Sequence, residues 1–250
     1  MGYVIVIAGK GGTGKTTVAA LITRIIREKK LGSILAVDAD PNSNLAEALG
    51  LKIKETIGSI LDEVSARPQL IPSGMSKDRL IEYRVQTSIA EAEGFDLLTM
   101  GRPEGPGCYC YVNNILRNVV ARLIADYDYI VIDNEAGLEH LSRRTTRQAD
   151  ALVIISDATK AGMRSARRIN ELAKELDIKA KKRLLVINQY NEKPDKEVIK
   201  ELGLEYIGSI AQDNNIIKIS QNGNSLMELD NDSVSLKTLR KTGERIWQEN

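Results

Sequence analysis

Two short stretches of this 250-residue chain carry residue types and spacings that do chemistry. The first is "GKGGTGKT", Gly9 to Thr16, which fits the spacing G-x-x-x-x-G-K-[ST] of a loop that cradles phosphate. Gly9, Gly11, Gly12 and Gly14 let the backbone turn its N–H groups inward around Thr13. A helix starting near Lys15 adds its positive end. In such a loop Lys15 neutralises the β- and γ-phosphates, the Thr16 hydroxyl holds Mg²⁺, and Thr17 lies beside it on the same first turn. The expected ligands are ATP or ADP with Mg²⁺.

The second stretch is "GPGCYC", which holds both cysteines of the chain, Cys108 and Cys110, in a loop. Glycine, proline and tyrosine surround them, so they do not form part of an apolar core face. A spacing of two in an extended segment puts both side chains on one side, about 7 Å apart at Cα, within reach of a shared metal at about 2.3 Å from each thiolate. A disulfide closed over one intervening residue is strained, which makes redox exchange the second choice. One chain supplies two thiols and a single histidine, His140, whereas a closed thiolate site wants four ligands. His140 fits better as an ordinary residue of a helix. Two copies of the loop near a two-fold axis would supply four sulfurs. Thiolates take Ni²⁺ and Zn²⁺ alike, so the ligand set leaves the metal open.

The elements that must position these residues follow βαβ grammar. Short runs rich in β-branched residues, "YVIVIAG", "SILAVDAD", "FDLLTMG", "YDYIVIDN", "ALVIISD", "KRLLVINQ" and "EYIGSI", alternate with helical patterns. Helices are expected over 16–30, 42–50 and around 113–126, 163–176 and 195–202; residues 52–94 look helical and connective. Near-continuous hydrophobicity of the strands predicts an α/β fold with a mostly parallel central sheet covered by helices on both faces. Its ligands should collect at the carboxyl ends of the strands, where the polar loops fall. Length and 42% apolar content suit one domain over 1–250. With 35 Lys and Arg against 34 Asp and Glu the net charge is +1, which argues against nucleic acid as partner. No leader or long apolar run is seen, so a cytoplasmic protein without a membrane partner is expected.

Lys10, a second lysine within "GKGGTGKTT", resembles the deviant Walker A signature of the MinD, ParA, nitrogenase iron protein and arsenite-pump ATPases. The resemblance implies a homodimer closed over ATP, with Lys10 reaching into the partner's site as a charge stabiliser. It also implies that Asp40 of "VDADPN" positions the attacking water and that Asp38 stands near the Mg²⁺ shell. The two lie two apart on a strand and face one crevice. Asp40 before Pro41 also reads as a helix start whose carboxylate caps N–H groups. Asp133, ending "YIVID", matches a Walker B carboxylate for Mg²⁺, Gly137 the switch glycine that senses the γ-phosphate, and Asn188 the asparagine that bonds adenine.

"VDADPNSNLAEALG", "GPGCYC" and "DNEAGLEHLSRRTT" together look like the CooC-type nickel-binding ATPases, including the AcsF branch, over about residues 1–215. Thr13 stands where that family often carries Val. This resemblance implies ATP-driven Ni²⁺ delivery to carbon monoxide dehydrogenase or acetyl-CoA synthase. A MinD-like positioning ATPase and an iron-sulfur reductase are the alternatives. The first needs "SLKTLRKTGERIW" as a free amphipathic helix, and Gly243 interrupts its apolar face; a helix packed on the domain is expected instead.

Overall fold

The computed structural model describes residues 2–102, 114–115, 118–119, 121–123, 125–136, 148–192 and 194–247. In chain order these form β1 (Tyr3–Gly9), α1 (Lys15–Glu28), β2 (Ile34–Ala39), α2 (Asn44–Leu49), α3 (Ile57–Ala66), α4 (Lys77–Thr87), β3 (Ala90–Ala92) and β4 (Phe95–Thr99). Then come β5 (Tyr129–Asn134), β6 (Gln148–Ser156), α5 (Lys160–Glu175), β7 (Lys179–Asn188), α6 (Lys196–Leu202), β8 (Glu205–Ile210), α7 (Asn214–Gln221) and α8 (Val234–Trp247). Of the helix expected around 113–126, the described residues between 114 and 123 are helical.

One eight-stranded sheet runs in the order β3-β4-β2-β5-β1-β6-β7-β8. The short edge strand β3 is antiparallel to β4, and the other neighbours are parallel. Parallel neighbours need crossovers, and the helices supply them on both faces. Alternation along β1 shows how the strands serve two layers. Val4, Val6 and Ala8 face α3, α4 and α5. Ile5 and Ile7 face α1, α2 and α8. After β1 the chain moves one way, to β2; after β5 it moves the other way, to β6. The crevice at the carboxyl ends of β1 and β5 is therefore a topological switch point, where ligands of such sheets bind.

Residues 52–94 are more structured than a connection. α3 opens on a capping box, with Thr56 Oγ1 accepting from Ser59 N at 3.1 Å and Ser59 Oγ from Thr56 N at 2.9 Å. Arg84 ties α4 back to α3 through Glu63 at 2.6 Å and also contacts Glu55. At the other end of the chain, α8 is a helix packed on the domain, as expected, and Gly243 is buried within its inward face. A Cβ there would lie 2.3 Å from the Trp247 ring, so the glycine makes a seat for that ring one turn on. Leu236, Leu239, Ile246 and Trp247 are buried against the sheet layer. Among the described residues no helix is long and apolar enough to cross a membrane.

Candidate nucleotide-binding site

The loop after β1 is built from close approaches that require glycine. A Cβ on Gly9 would lie 2.4 Å from the Ile155 carbonyl oxygen of β6. Gly12 and Gly14 adopt left-handed φ of 80° and 87°, a conformation that L side chains disfavour. Gly14 is also the residue before the first turn of α1, and no side chain caps that helix. Its first N–H groups are thus left for an anion. The Lys10 carbonyl organises the loop: it accepts from Thr13 N at 3.4 Å, Thr13 Oγ1 at 2.8 Å and Lys15 Nζ at 3.4 Å. Lys15 is buried, folded over the loop, whereas Lys10 and Gly11 are exposed.

Three residues stand in one row across adjacent strands: Thr99 on β4, Asp38 on β2 and Asp133 on β5. Asp133 Oδ2 accepts from Thr16 Oγ1 at 2.6 Å, which brings β5 onto the first turn of α1. Asp133 Oδ1 is buried and has no hydrogen-bond partner among the described residues. Burial pushes the Asp133 carboxyl up to about 6; the Thr16 hydrogen bond and the Lys15 charge pull it down, and Asp40 adds to the rise. Asp38 has no exposed surface. Burial first, then the Asp133 charge, raise it to about 7, against the N–H groups of Leu45 and Asp40 that bond its oxygens at 2.8 and 3.1 Å.

These bonds reassign the capping role. The carboxylate reaching into α2 is that of Asp38, on Leu45 N. Asp40 instead closes a local turn, its Oδ1 accepting from Asn42 N at 2.9 Å and Asn42 Nδ2 at 3.0 Å. The reason is the left-handed Ser43 (φ 56°), which turns the start of α2 back over the end of β2.

Asn188, at the end of β7, donates from Nδ2 to the Thr13 carbonyl at 2.8 Å. A Cβ on Gly14 would lie 2.3 Å from this same amide nitrogen. The side chain therefore fixes the phosphate loop and lines a cleft with Gly14, Thr17, Val18, Ile210 and Ile216. The wall after β8 was not anticipated. Its organiser is Asp213, which caps α7 through Asn215 N at 2.9 Å and holds the start of α8 through Ser233 Oγ at 2.6 Å and Ser235 N at 3.2 Å. An Asp followed by two Asn and an apolar pair was the local signal for that cap.

Gly9 to Thr17, Asp38, Asp40, Asp133 and Asn188 thus converge on one edge of the sheet. Cys108, Cys110, Gly137 and His140 lie outside the described residues. Among the described residues no group of three or more His, Cys, Asp or Glu side chains could hold a metal ion. Thr16 and Asp133 nevertheless offer two oxygens, one with an orphaned neighbour, in a place where nucleotide and water oxygens would complete a Mg²⁺ shell.

Fold and loop together define a P-loop nucleotide-binding protein. The sequence matches the CobQ/CobB/MinD/ParA nucleotide binding domain over residues 4–226, and the chain belongs to that family. An uncharacterised ATP-binding protein of Methanocaldococcus jannaschii is 42% identical over 97% of this chain and 98% of its own length. The carbon monoxide dehydrogenase accessory protein CooC of Rhodospirillum rubrum is 30% identical over 70% of each chain. The septum site-determining protein MinD of Pyrococcus horikoshii, solved with Mg-ADP, shares the fold with a TM-score of 0.74 at 19% identity, covering 99% of this chain and 97% of that one.

Proposed function

We propose that this chain is a single-domain cytoplasmic ATPase over residues 1–250 that works as a homodimer. Its cargo is Ni²⁺, with Zn²⁺ as the competing ion, delivered to carbon monoxide dehydrogenase or acetyl-CoA synthase. The observation that supports this reading most is the 30% identity to the CooC accessory protein, taken with Cys108 and Cys110 as a two-thiol motif. Two copies would bring four thiolates to one ion.

Within each copy, Thr16 and Asp133 would hold Mg²⁺ beside the β- and γ-phosphates, and the buried Asp133 Oδ1 without a partner fits that task. An ion held there would offset the negative charge of the phosphate oxygens. Lys15 exchanges the Lys10 carbonyl for phosphate oxygen, and the loop N–H groups hold the chain of phosphates in line. Asp40 orients a water whose oxygen bonds to the γ-phosphorus as the bond to the bridging oxygen breaks, giving ADP and phosphate. Lys10 is exposed and free to reach the other copy's site, and Gly137 reads the γ-phosphate. Asn188 keeps its carbonyl oxygen for the adenine amino group, since its amide nitrogen is engaged on Thr13. Hydrolysis moves cargo because the ATP and ADP states hold it with different affinity.

A MinD-like positioning ATPase is the second reading, supported by the fold match and by the 27% identity to MinD of Bacillus subtilis over 89% of this chain. Against it stands α8, whose Leu236, Leu239, Ile246 and Trp247 are buried in the core and not offered to a membrane surface. An iron-sulfur reductase is distinguished by iron absorbance under anaerobic conditions. The test is metal content and mass measured anaerobically, with and without ATP. The expected result is about half a Ni²⁺ per chain in a dimer, lost in Cys108→Ser. A full equivalent on a monomer, or unchanged binding in the serine variant, overturns the reading.

A further inference from the structure

Thr99, the last residue of β4, is 3% exposed, and among the described residues its hydroxyl has no hydrogen-bond partner. A buried hydroxyl left unpaired is destabilising, so its place is informative. Thr99 pairs in register with Asp38 on the adjacent parallel strand, and Asp38 pairs with Asp133 on the next. Strands of one sheet lie about 4.8 Å apart, and register partners share a face. The Thr99 hydroxyl is therefore one strand from the Asp38 carboxylate and two from the Thr16–Asp133 pair. It can reach the first and not the second.

Asp38 already accepts one N–H on each oxygen, from Asp40 and Leu45. An ionised carboxylate has about four acceptor positions, so a third donor can be taken. The strand end that carries Thr99 is held in place for this. Met100 N donates to the Asp38 carbonyl at 2.8 Å, and Gly58 N donates to the Met100 carbonyl at 2.9 Å. A Cβ on Gly101 would meet the Thr56 side chain at 2.2 Å, so the turn after β4 packs directly on α3.

We infer that Thr99 is a positioning residue for the Mg²⁺-nucleotide state: its hydroxyl turns onto Asp38 and supplies the third hydrogen bond that holds this carboxylate beside the metal shell. The inference rests on reading Thr16 and Asp133 as the Mg²⁺ site.

The test is a double-mutant cycle on ADP affinity, measured by calorimetry with and without Mg²⁺, in wild type, Thr99→Val, Asp38→Asn and the double variant. Wild type is expected to bind ADP more tightly with Mg²⁺. Thr99→Val should weaken Mg-ADP binding about five- to tenfold and leave metal-free ADP binding unchanged. The loss should vanish in the Asp38→Asn background, and Thr99→Ser should restore wild-type affinity. Without nucleotide, Thr99→Val should melt no lower than wild type, because an apolar isostere replaces an unpaired hydroxyl. A Mg²⁺-dependent wild type with unchanged affinity in Thr99→Val, or effects that multiply across the cycle, overturns the role of Thr99 alone. ADP affinity indifferent to Mg²⁺ in wild type overturns the metal site and the role of Thr99 with it.

Discussion

Asp133, near the end of β5, and Asp213, at the start of α7, stand on the same edge of the sheet, and their surroundings treat negative charge in opposite ways. Around Asp213 burial also works against the carboxylate. It is outweighed by Ser233, Asn215 and Ser235, whose donors hold its proton affinity below the usual carboxylate range. Around Asp133 and Asp38 burial wins, the Asp133 charge adds to the rise of Asp38, Asp40 adds to both, and one Asp133 oxygen is left unpaired. The first arrangement is complete as it stands and fastens α7 and α8 to the wall of the cleft. The second leaves open the acceptor that the proposed Mg²⁺ would take. A buried polar atom left without a partner is costly, and the contrast with the fully bonded Asp213 singles out Asp133.

The largest effect should come from removing the incomplete carboxylate. Asp133→Asn is expected to lower Mg²⁺-dependent ATP turnover by about 10²–10³-fold, while the melting midpoint of the nucleotide-free protein holds or rises. A drop in that midpoint comparable to a core mutation would make Asp133 a structural residue like Asp213. The reverse pattern is expected of Asp213→Ala. Chemical denaturation should register a loss of roughly 2 kcal/mol, because two helix starts lose their acceptor together, with turnover per folded molecule changed far less.

The two sites should also separate by pH. Asp133 and Asp38 have folded values of about 6 and 7, above the unfolded value near 3.9, so between these limits the folded state binds more protons than the unfolded one. Stability from that source is present in full below about pH 4 and is lost as pH rises to about 7. Asp213 is shifted downward, so its contribution is present above about pH 4 and is lost as pH falls through its folded value. Denaturation of nucleotide-free protein should show the downward slope between pH 5 and 7 flattened in Asp38→Asn, and the acid limb alone flattened in Asp213→Asn. A slope unchanged in Asp38→Asn would remove the contrast. The smallest effect is expected for Asn188→Ala, about 1 kcal/mol in ADP affinity, since the Thr13 carbonyl loses its donor while the glycine turns of the loop remain.

Much of the site was legible because it is local. The phosphate loop is contiguous in sequence, its glycines sit where the backbone needs left-handed φ or close approach, and the strands from Tyr3 and Glu205 announce themselves by apolar runs with β-branched residues. Less legible were α3, α4 and β3, where a capping box and Arg84 hold two helices, the second of them polar, and where three residues make an edge strand. Gly243 reads in the sequence as a gap in the apolar face of α8, yet its missing Cβ makes the space that Trp247 fills on that face.

Residue types and spacing by themselves determined the phosphate chemistry, the alternation of strands and helices, and the family to which such a loop belongs, because each is written in neighbours along the chain. Only the tertiary structure decided that Asp38 and not Asp40 reaches into α2, that Thr99 stands in register with Asp38, and that Asp133 keeps one oxygen unpaired beside Thr16. Those facts depend on the order of strands in the sheet, which brings β4, β2 and β5 side by side from positions up to a hundred residues apart. Burial by that sheet then sets the cost of every polar atom left without a partner.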